Sequence, residues 1–273
     1  MNGGGVGEIV CTNVTKIWGA DTPREVMALD NVSCAVRHGE FLVIIGPSGC
    51  GKSTLLMLLA GLEMPTSGTI AYNGKSITGP DSDRSLIFQQ PSLFPWLSTI
   101  DNVAFGLMLQ GIGRKERRRR AEQFLRQVGL REFAYKHPHE LSGGMQQRAA
   151  IARALCLGAD VLLMDEPFAA LDVQTRFQMQ SFLLDIWQGS GKTVAFVTHH
   201  IDEAVYLADR VLILTARPGR LLDSVNIDMP RPRNVISTDF ERYRALFIER
   251  LRAEVTKAFQ EQELAEMLDT RIK

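Results

Sequence analysis

The sequence predicts an α/β fold built on a mainly parallel sheet, and three observations carry that prediction. Four short apolar runs, at 41–46, 161–165, 193–198 and 210–215, are separated by stretches of helical periodicity. Runs this short and this uniformly apolar read as strands covered on both faces, which is how parallel strands are buried. The first run, Phe41-Leu42-Val43-Ile44-Ile45, passes directly into Gly46-Pro47-Ser48-Gly49-Cys50-Gly51-Lys52-Ser53-Thr54, a glycine-rich turn that opens a helix. Upstream, Glu8 to Trp18 and Glu25 to Val36 are rich in β-branched residues and divided by Gly19 and Pro23. A smaller N-terminal antiparallel sheet is therefore expected beside the main core.

Taken in order, the helix after the glycine turn runs from Thr54 to Leu62, with leucines at 55, 58, 59 and 62 on one buried face. Gly68 to Gly74 reads as a further strand closing on a turn. Residues 97–157 are mostly helical and form an inserted helical subdomain, where Ala121, Phe124, Leu125 and Val128 share a face. Arg114, Lys115 and Arg117 to Arg120 crowd the start of that helix, either as a solvated face or as a contact for lipid headgroups or acidic loops. Pro230 and Pro232 mark a linker. Asp239 to Met267 is amphipathic, with Phe240, Tyr243, Phe247, Leu251 and Val255 along one stripe. It is a tail packed on the body or an element that binds a partner. The expected division is one catalytic domain over 8–229 and a linker with helical tail over 230–273.

Composition excludes several classes. Of 273 residues, 45% are hydrophobic and 23% charged, as in a chain with a good core. Lys+Arg and Asp+Glu are both 31, so no bulk field draws the chain to nucleic acid. The longest strongly apolar stretch, Leu55 to Leu62, is far short of the ~18–20 residues that span a bilayer, and Met1 to Gly5 has no export signal. Cys11, Cys34, Cys50 and Cys156 form no C-x-x-C pair and lack zinc-ligand spacing, so they are expected to be reduced structural thiols. Cys50 lies within the glycine turn, where alkylation would block a ligand by bulk.

The chemistry lies in three motifs. Gly46 to Thr54 fits G-x-x-x-x-G-K-[ST] between a strand and a helix, the context that gives this pattern meaning. Its glycines let backbone N–H groups wrap phosphate oxygens, Lys52 adds a point charge at the β- and γ-phosphates, and the Ser53 hydroxyl suits Mg²⁺. A nucleoside triphosphate is the expected ligand. Val161-Leu162-Leu163-Met164-Asp165-Glu166 is an apolar strand ending in two acids. There Asp165 would hold Mg²⁺ and Glu166 would polarise the water that attacks the γ-phosphate. In Leu141-Ser142-Gly143-Gly144-Met145-Gln146-Gln147-Arg148, Ser142 suits an N-cap and the two glycines expose helix-start N–H groups, a second anion site.

Together these three motifs resemble the ATP-binding cassette family, the motor subunits of ABC transporters, and residues 8–220 carry the resemblance. It implies a P-loop NTPase core of the ABC type that binds ATP with Mg²⁺. It also implies a head-to-tail dimer in which Ser142, Gly143 and Gly144 cap the ATP held by the partner's phosphate loop. By the same resemblance Gln89 reaches Mg²⁺ and the attacking water, Asp172 crosses to the partner subunit, and His199 reads the γ-phosphate. Trp18 stands where the family has an adenine-stacking tyrosine. Two positions depart from the pattern: Met145 replaces the usual glutamine, and His200 stands where many relatives have aspartate.

A cassette of this family without a spanning segment docks on separate transmembrane permease subunits. By the same resemblance the dock is expected near Gln89 to Trp96, where Phe94 and Trp96 either receive an inserted helix or fill the core. The wording of Ser92 to Leu97, Asp165 to Leu171 and Leu214 to Gly219 is similar to the branch that imports nitrate, sulfonate, taurine or bicarbonate. That branch takes cargo from a periplasmic or extracellular solute-binding protein and works at the cytoplasmic face of the membrane. Cassettes that act on DNA or in translation carry long coiled-coil inserts, zinc cysteines or a second cassette, none of which this sequence shows.

Overall fold

A computed structural model describes residues 7–272 apart from 21, 23 and 24, with side chains described as far as Gln260. The chain divides into two compact units, residues 1–79 with 195–273 and residues 80–194. The first unit begins with β1 (Ile9–Trp18), β2 (Val26–Val36), β3 (Phe41–Ile45), α1 (Lys52–Ala60), β4 (Ser67–Tyr72) and β5 (Lys75–Ser76). The second holds β6 (Arg84–Ile87), α2 (Thr99–Val103), α3 (Phe105–Leu109), α4 (Arg114–Gln127), α5 (Gly143–Leu157), β7 (Val161–Asp165) and α6 (Val173–Ser190). The division falls within β8 (Thr193–Val197). The first unit then resumes with α7 (Ile201–Leu207), β9 (Arg210–Leu214), β10 (Leu221–Asn226) and α8 (Thr238–Ile272).

In the first unit, β1 lies between β2 and β4, antiparallel to both, and β5 closes a sheet of order β2-β1-β4-β5. Its pattern is alternating: Ile9, Cys11 and Val14 are buried while Val10, Thr12 and Asn13 are exposed. The register slips between Cys11 and Val14, where Asn13 takes φ 50, so a bulge re-aims the strand. β3 behaves differently. All five of its residues are at most 1% exposed, as both-face coverage requires. β9 runs parallel to it from Leu42↔Arg210 to Ile45↔Ile213, and β10 adds an antiparallel edge to β9. Arg210 and Glu40 form a buried bidentate pair, Nε to Oε1 at 2.7 Å and Nη2 to Oε2 at 2.9 Å.

Phe240, Tyr243, Phe247 and Leu251 of α8 are buried, and the helix packs on α7. Val255, read as part of the same stripe, is 51% exposed. The Glu254 carboxylate accepts the Ala216 N–H at 2.7 Å. The proline-marked linker is ordered. Arg233 is buried, and its Nη1 donates to the carbonyls of Val205 (2.7 Å) and Ala208 (2.6 Å) at the end of α7. Arg231 pairs with Asp209.

The second unit is organised around α5, which touches α2, α3, α4 and β6. Its Ala149, Ala150, Ala152 and Ala154 are all buried and let neighbouring backbones approach closely. Strands β6 and β7 are parallel, in register from Arg84↔Val161 to Ile87↔Met164. Asn102, fully buried, accepts the Phe94 N–H at 2.8 Å and donates to the carbonyls of Phe94, Leu97 and Ser98, fixing that loop. The basic start of α4 is an ion-paired surface. Arg118 makes a bidentate bond to Asp101, while Arg119 and Arg120 share Glu116. Among the described residues no helix is long and apolar enough to cross a membrane.

Candidate functional site

The predicted site residues are divided between the units: Trp18, 46–54 and His199 in the first, and Gln89, 142–144, Asp165, Glu166 and Asp172 in the second. In the first unit, the loop between β3 and α1 is a cradle in which side chains have no room. Gly49 and Gly51 take φ +75 and +97, and a Cβ on Gly51 would lie 2.7 Å from the Ala28 carbonyl oxygen. Only glycine meets both demands. The Lys52 ammonium is buried and donates to the carbonyls of Gly46 and Pro47, both at 2.8 Å, so the cation is held within the loop. The loop, the helix start behind it and this cation fit a phosphate chain.

Cys50 is not available for alkylation. It is 1% exposed, a Cβ on Gly46 would come 2.7 Å from its sulfur, and burial pushes its thiol pKa up. Its sulfur accepts from the Lys52 ammonium at 3.8 Å. Behind the loop, the turn at 215–220 acts as a buttress. Arg217 Nε donates to the Gly49 carbonyl at 3.3 Å, and a Cβ on Gly219 would strike the Cys50 carbonyl oxygen. Sequence reasoning noticed Leu214 to Gly219 only as family wording and missed this role.

His199 is exposed and lines a groove of about 630 Å³ with Gly46, Pro47 and Ser48 on one side and Leu251, Arg252 and Val255 of α8 on the other. The His200 ring lies 4.1 Å away, while its N–H donates to Thr198 Oγ1 at 3.0 Å. Thr198 Oγ1 in turn donates to Glu203 at 2.5 Å. His200 thus starts α7, and His199 is the histidine that shares the groove with the phosphate loop. At the end of β1, the Lys16 ammonium sits 4.4 Å from the Trp18 ring centroid.

In the second unit, β7 ends at Asp165, and Glu166 immediately after it takes φ 44. A glutamate in the left-handed region costs ~1–3 kcal/mol, a strain that persists where surrounding structure imposes it. Gln89 Nε2 donates to Glu166 Oε2 at 3.3 Å, so these two predicted residues are brought together. Gln147, 1% exposed, donates from Nε2 to the Phe88 carbonyl at 3.3 Å and holds the residue before Gln89. A mid-helix glutamine gave no sequence signal for that.

Ser142 is the N-cap of α5, its Oγ accepting the Met145 N–H at 3.3 Å. Gly143 and Gly144 both have helical-side φ. A Cβ on Gly143 would meet nothing within 4 Å, and one on Gly144 would touch Leu171 at 3.4 Å. Asp172 is the N-cap of α6, with Oδ1 accepting the Thr175 N–H at 2.9 Å, and that bond holds its carboxyl below the usual range. The loop at 88–94 borders a cavity of about 690 Å³ lined by Phe88, Pro91, Phe94, Phe105, Leu109 and Arg153. Phe94 packs 4.5 Å from Phe105, whereas Trp96 is 72% exposed and fills no core. The His137 and His139 rings stack on each other at 5.9 Å.

Residues 29–169 match the family model described as ABC transporter. An uncharacterised ABC transporter ATP-binding protein of Methanocaldococcus jannaschii is 52% identical over 90% of this chain and 92% of its own length. A nitrate import ATP-binding protein of Synechocystis is 51% identical over 75% of this chain and 77% of its own. A taurine import ATP-binding protein of Burkholderia thailandensis is 48% identical over 81% and 85%. Among solved structures, a dimeric ATP-binding cassette bound to ADP and phosphate superposes with a TM-score of 0.75 and 34% identity, covering 81% of this chain and all of its own. With the glycine cradle, the buried lysine and the strained strand-end glutamate in place, the chain belongs to the ABC transporter family.

Proposed function

We propose that this protein is the ATP-hydrolysing motor subunit of an importer for a small solute, of the oxyanion kind represented by nitrate, sulfonate, taurine or bicarbonate. The observation that carries the reading is the strained Glu166 at the end of β7, hydrogen-bonded to Gln89. Such strain marks a carboxylate that is positioned for work. Relatives named for nitrate and taurine import favour this branch over other small-solute importers.

In this reading the 46–54 loop N–H groups and Lys52 bind the ATP phosphates, and Trp18 stacks on the adenine. Glu166 takes the proton from the attacking water, Gln89 orients that water, and His199 donates to the γ-phosphate. Mg²⁺ would neutralise phosphate charge; Ser53, Asp165 and Gln89 supply oxygens of the hard kind it takes. Ser142, Gly143 and Gly144 present an open helix tip, and in a head-to-tail pair that tip caps the ATP of the second copy. Asp172 caps α6 and borders the same contact. The apolar cavity beside Phe94 and Phe105 suits an inserted helix of a permease at the cytoplasmic membrane face, with a solute-binding protein delivering cargo outside. Residues 8–229 form the working domain and 230–273 the linker and tail.

The test is direct. Vesicles holding the permease subunits and this chain should take up labelled nitrate or taurine only with internal ATP. Lys52→Ala should weaken ATP binding at least about tenfold, as loss of a charge-assisted bond requires. Unchanged ATP affinity in that variant would remove the phosphate assignment.

A further inference from the structure

Cys11 and Cys34 face each other across the antiparallel pair β1–β2. They are register partners, and so are Ile9 and Val36 two residues away on the same buried side. Directly opposed residues in such a ladder have Cα atoms ~4.5–5.5 Å apart, inside the ~4.4–6.8 Å that a disulfide spans. Cys11 lies on the central strand and is 3% exposed, whereas Cys34 lies on the edge strand and is half-buried. A reagent can therefore approach only Cys34.

The two sulfurs are also chemically unequal. The Cys11 thiol is pushed well up, first by the neighbouring Cys34 and then by burial, so it keeps its proton. The Cys34 thiol is drawn down, first by the neighbouring Cys11 and then, against the upward push of burial, by the charge of Arg210. Cys50 and Cys156 are buried with their pKa values raised, Cys156 to about 11, and neither is positioned as a register partner of another cysteine.

We propose that Cys11–Cys34 is a redox modification site, a dithiol that a hydroperoxide converts to a reversible disulfide. The Cys34 thiolate attacks a peroxide oxygen; the O–O bond breaks, giving Cys34 sulfenic acid and hydroxide, which takes a proton to become water. The Cys11 sulfur then attacks the Cys34 sulfur, the S–O bond breaks, and the departing hydroxide leaves as water with the Cys11 proton. Two thiols and one hydrogen peroxide give one disulfide and two waters, with two electrons passing from sulfur to peroxide. The inference does not depend on the transport reading.

The experiment treats the full chain with hydrogen peroxide and counts thiols after denaturation. The count should fall from the four of the sequence to two and return on addition of dithiothreitol. Non-reducing peptide mapping should find Cys11 linked to Cys34. Cys34→Ser should slow thiol loss at least about tenfold, since the accessible thiolate is gone. Cys11→Ser should leave Cys34 as a sulfenic acid that dimedone traps. A linked pair other than Cys11–Cys34, or four thiols remaining at doses that oxidise free cysteine, would overturn the proposal. Equal dimedone trapping in the unaltered chain and Cys11→Ser would also overturn it, because Cys11 would then not resolve the sulfenic acid.

Discussion

At the scale of single residues, Glu166 joins an unfavourable backbone conformation to a bond from Gln89. A glutamine at 166 keeps the shape and one acceptor oxygen but cannot take a proton from water. Glu166→Gln is therefore expected to bind ATP normally and to lose about 10²–10⁴-fold in hydrolysis rate, the range general-base catalysis contributes. Single-turnover hydrolysis with prebound ATP measures this, and turnover at the unaltered rate would take Glu166 out of the base role. The adenine side calls for a separate measurement. Trp18→Ala should weaken ATP binding by ~1–3 kcal/mol, the worth of a base–aromatic stack, without changing the hydrolysis rate at saturation. A fall in that rate with affinity intact would mean that Trp18 serves the fold.

At the scale of elements, Arg233 shows how the segment after the core is secured. Burial pushes its pKa down to about 10, yet it stays cationic at neutral pH and bonds the carbonyls that end α7. Arg233→Met leaves those carbonyls without a donor, so it should destabilise the fold by about 2–4 kcal/mol in urea unfolding. A neutral result would show that solvent replaces the guanidinium. The turn at 138–140 carries one pH dependence. Glu140 accepts the His137 N–H at 2.7 Å and the Lys136 ammonium at 2.8 Å, and these hold its carboxyl down to about 2. A depressed acid stabilises fully above its unfolded value of ~4.3, and the contribution disappears as pH falls through about 2. The Glu140 carboxyl resonance should titrate near 2, and a midpoint near 4 would mean that the cap does not hold in solution. Elements of this kind divide what the sequence could reveal. The largely apolar β3, β7, β8 and β9 were legible, as was the alternating β1. Of the leucine face expected over Thr54 to Leu62, Leu55, Leu58 and Leu59 are buried in α1, which ends at Ala60, while Leu62 is 46% exposed because Gly61 stops the helix before it. β6 was not legible, because Arg84-Ser85-Leu86-Ile87 is short and half polar; nor was β10, an edge strand whose exposed and half-buried residues carry no apolar run. Among site residues, spacing revealed the phosphate loop and the strand-end acids. The left-handed Glu166 backbone, the Arg217 buttress and the buried Gln147 arise from contacts distant in sequence, which no local pattern encodes.

At the scale of the whole molecule, the open helix tip at Ser142 makes a shared site testable without a structure of the pair. A Cβ on Gly143 would touch nothing among the described residues, which supply no steric reason for glycine there. A second copy that brings a phosphate to the tip would supply one. In a two-fold pair each composite site takes its phosphate loop from one copy and its Ser142 tip from the other. Lys52→Ala should disable the loop, and Ser142→Arg should disable the tip while leaving nucleotide binding by the single chain intact. Each variant alone should be inactive. Mixed in equal amounts, half of the random pairs combine one copy of each, and one of their two sites joins an intact loop to an intact tip. If the sites turn over independently, the mixture regains about a quarter of the unaltered activity. Sites contained within single chains would give no recovery at all, because each copy would carry its own defect. Steady-state phosphate release from the mixture, measured with and without the permease, separates these outcomes. Recovery that grows with the square of protein concentration before levelling would tie it to pairing.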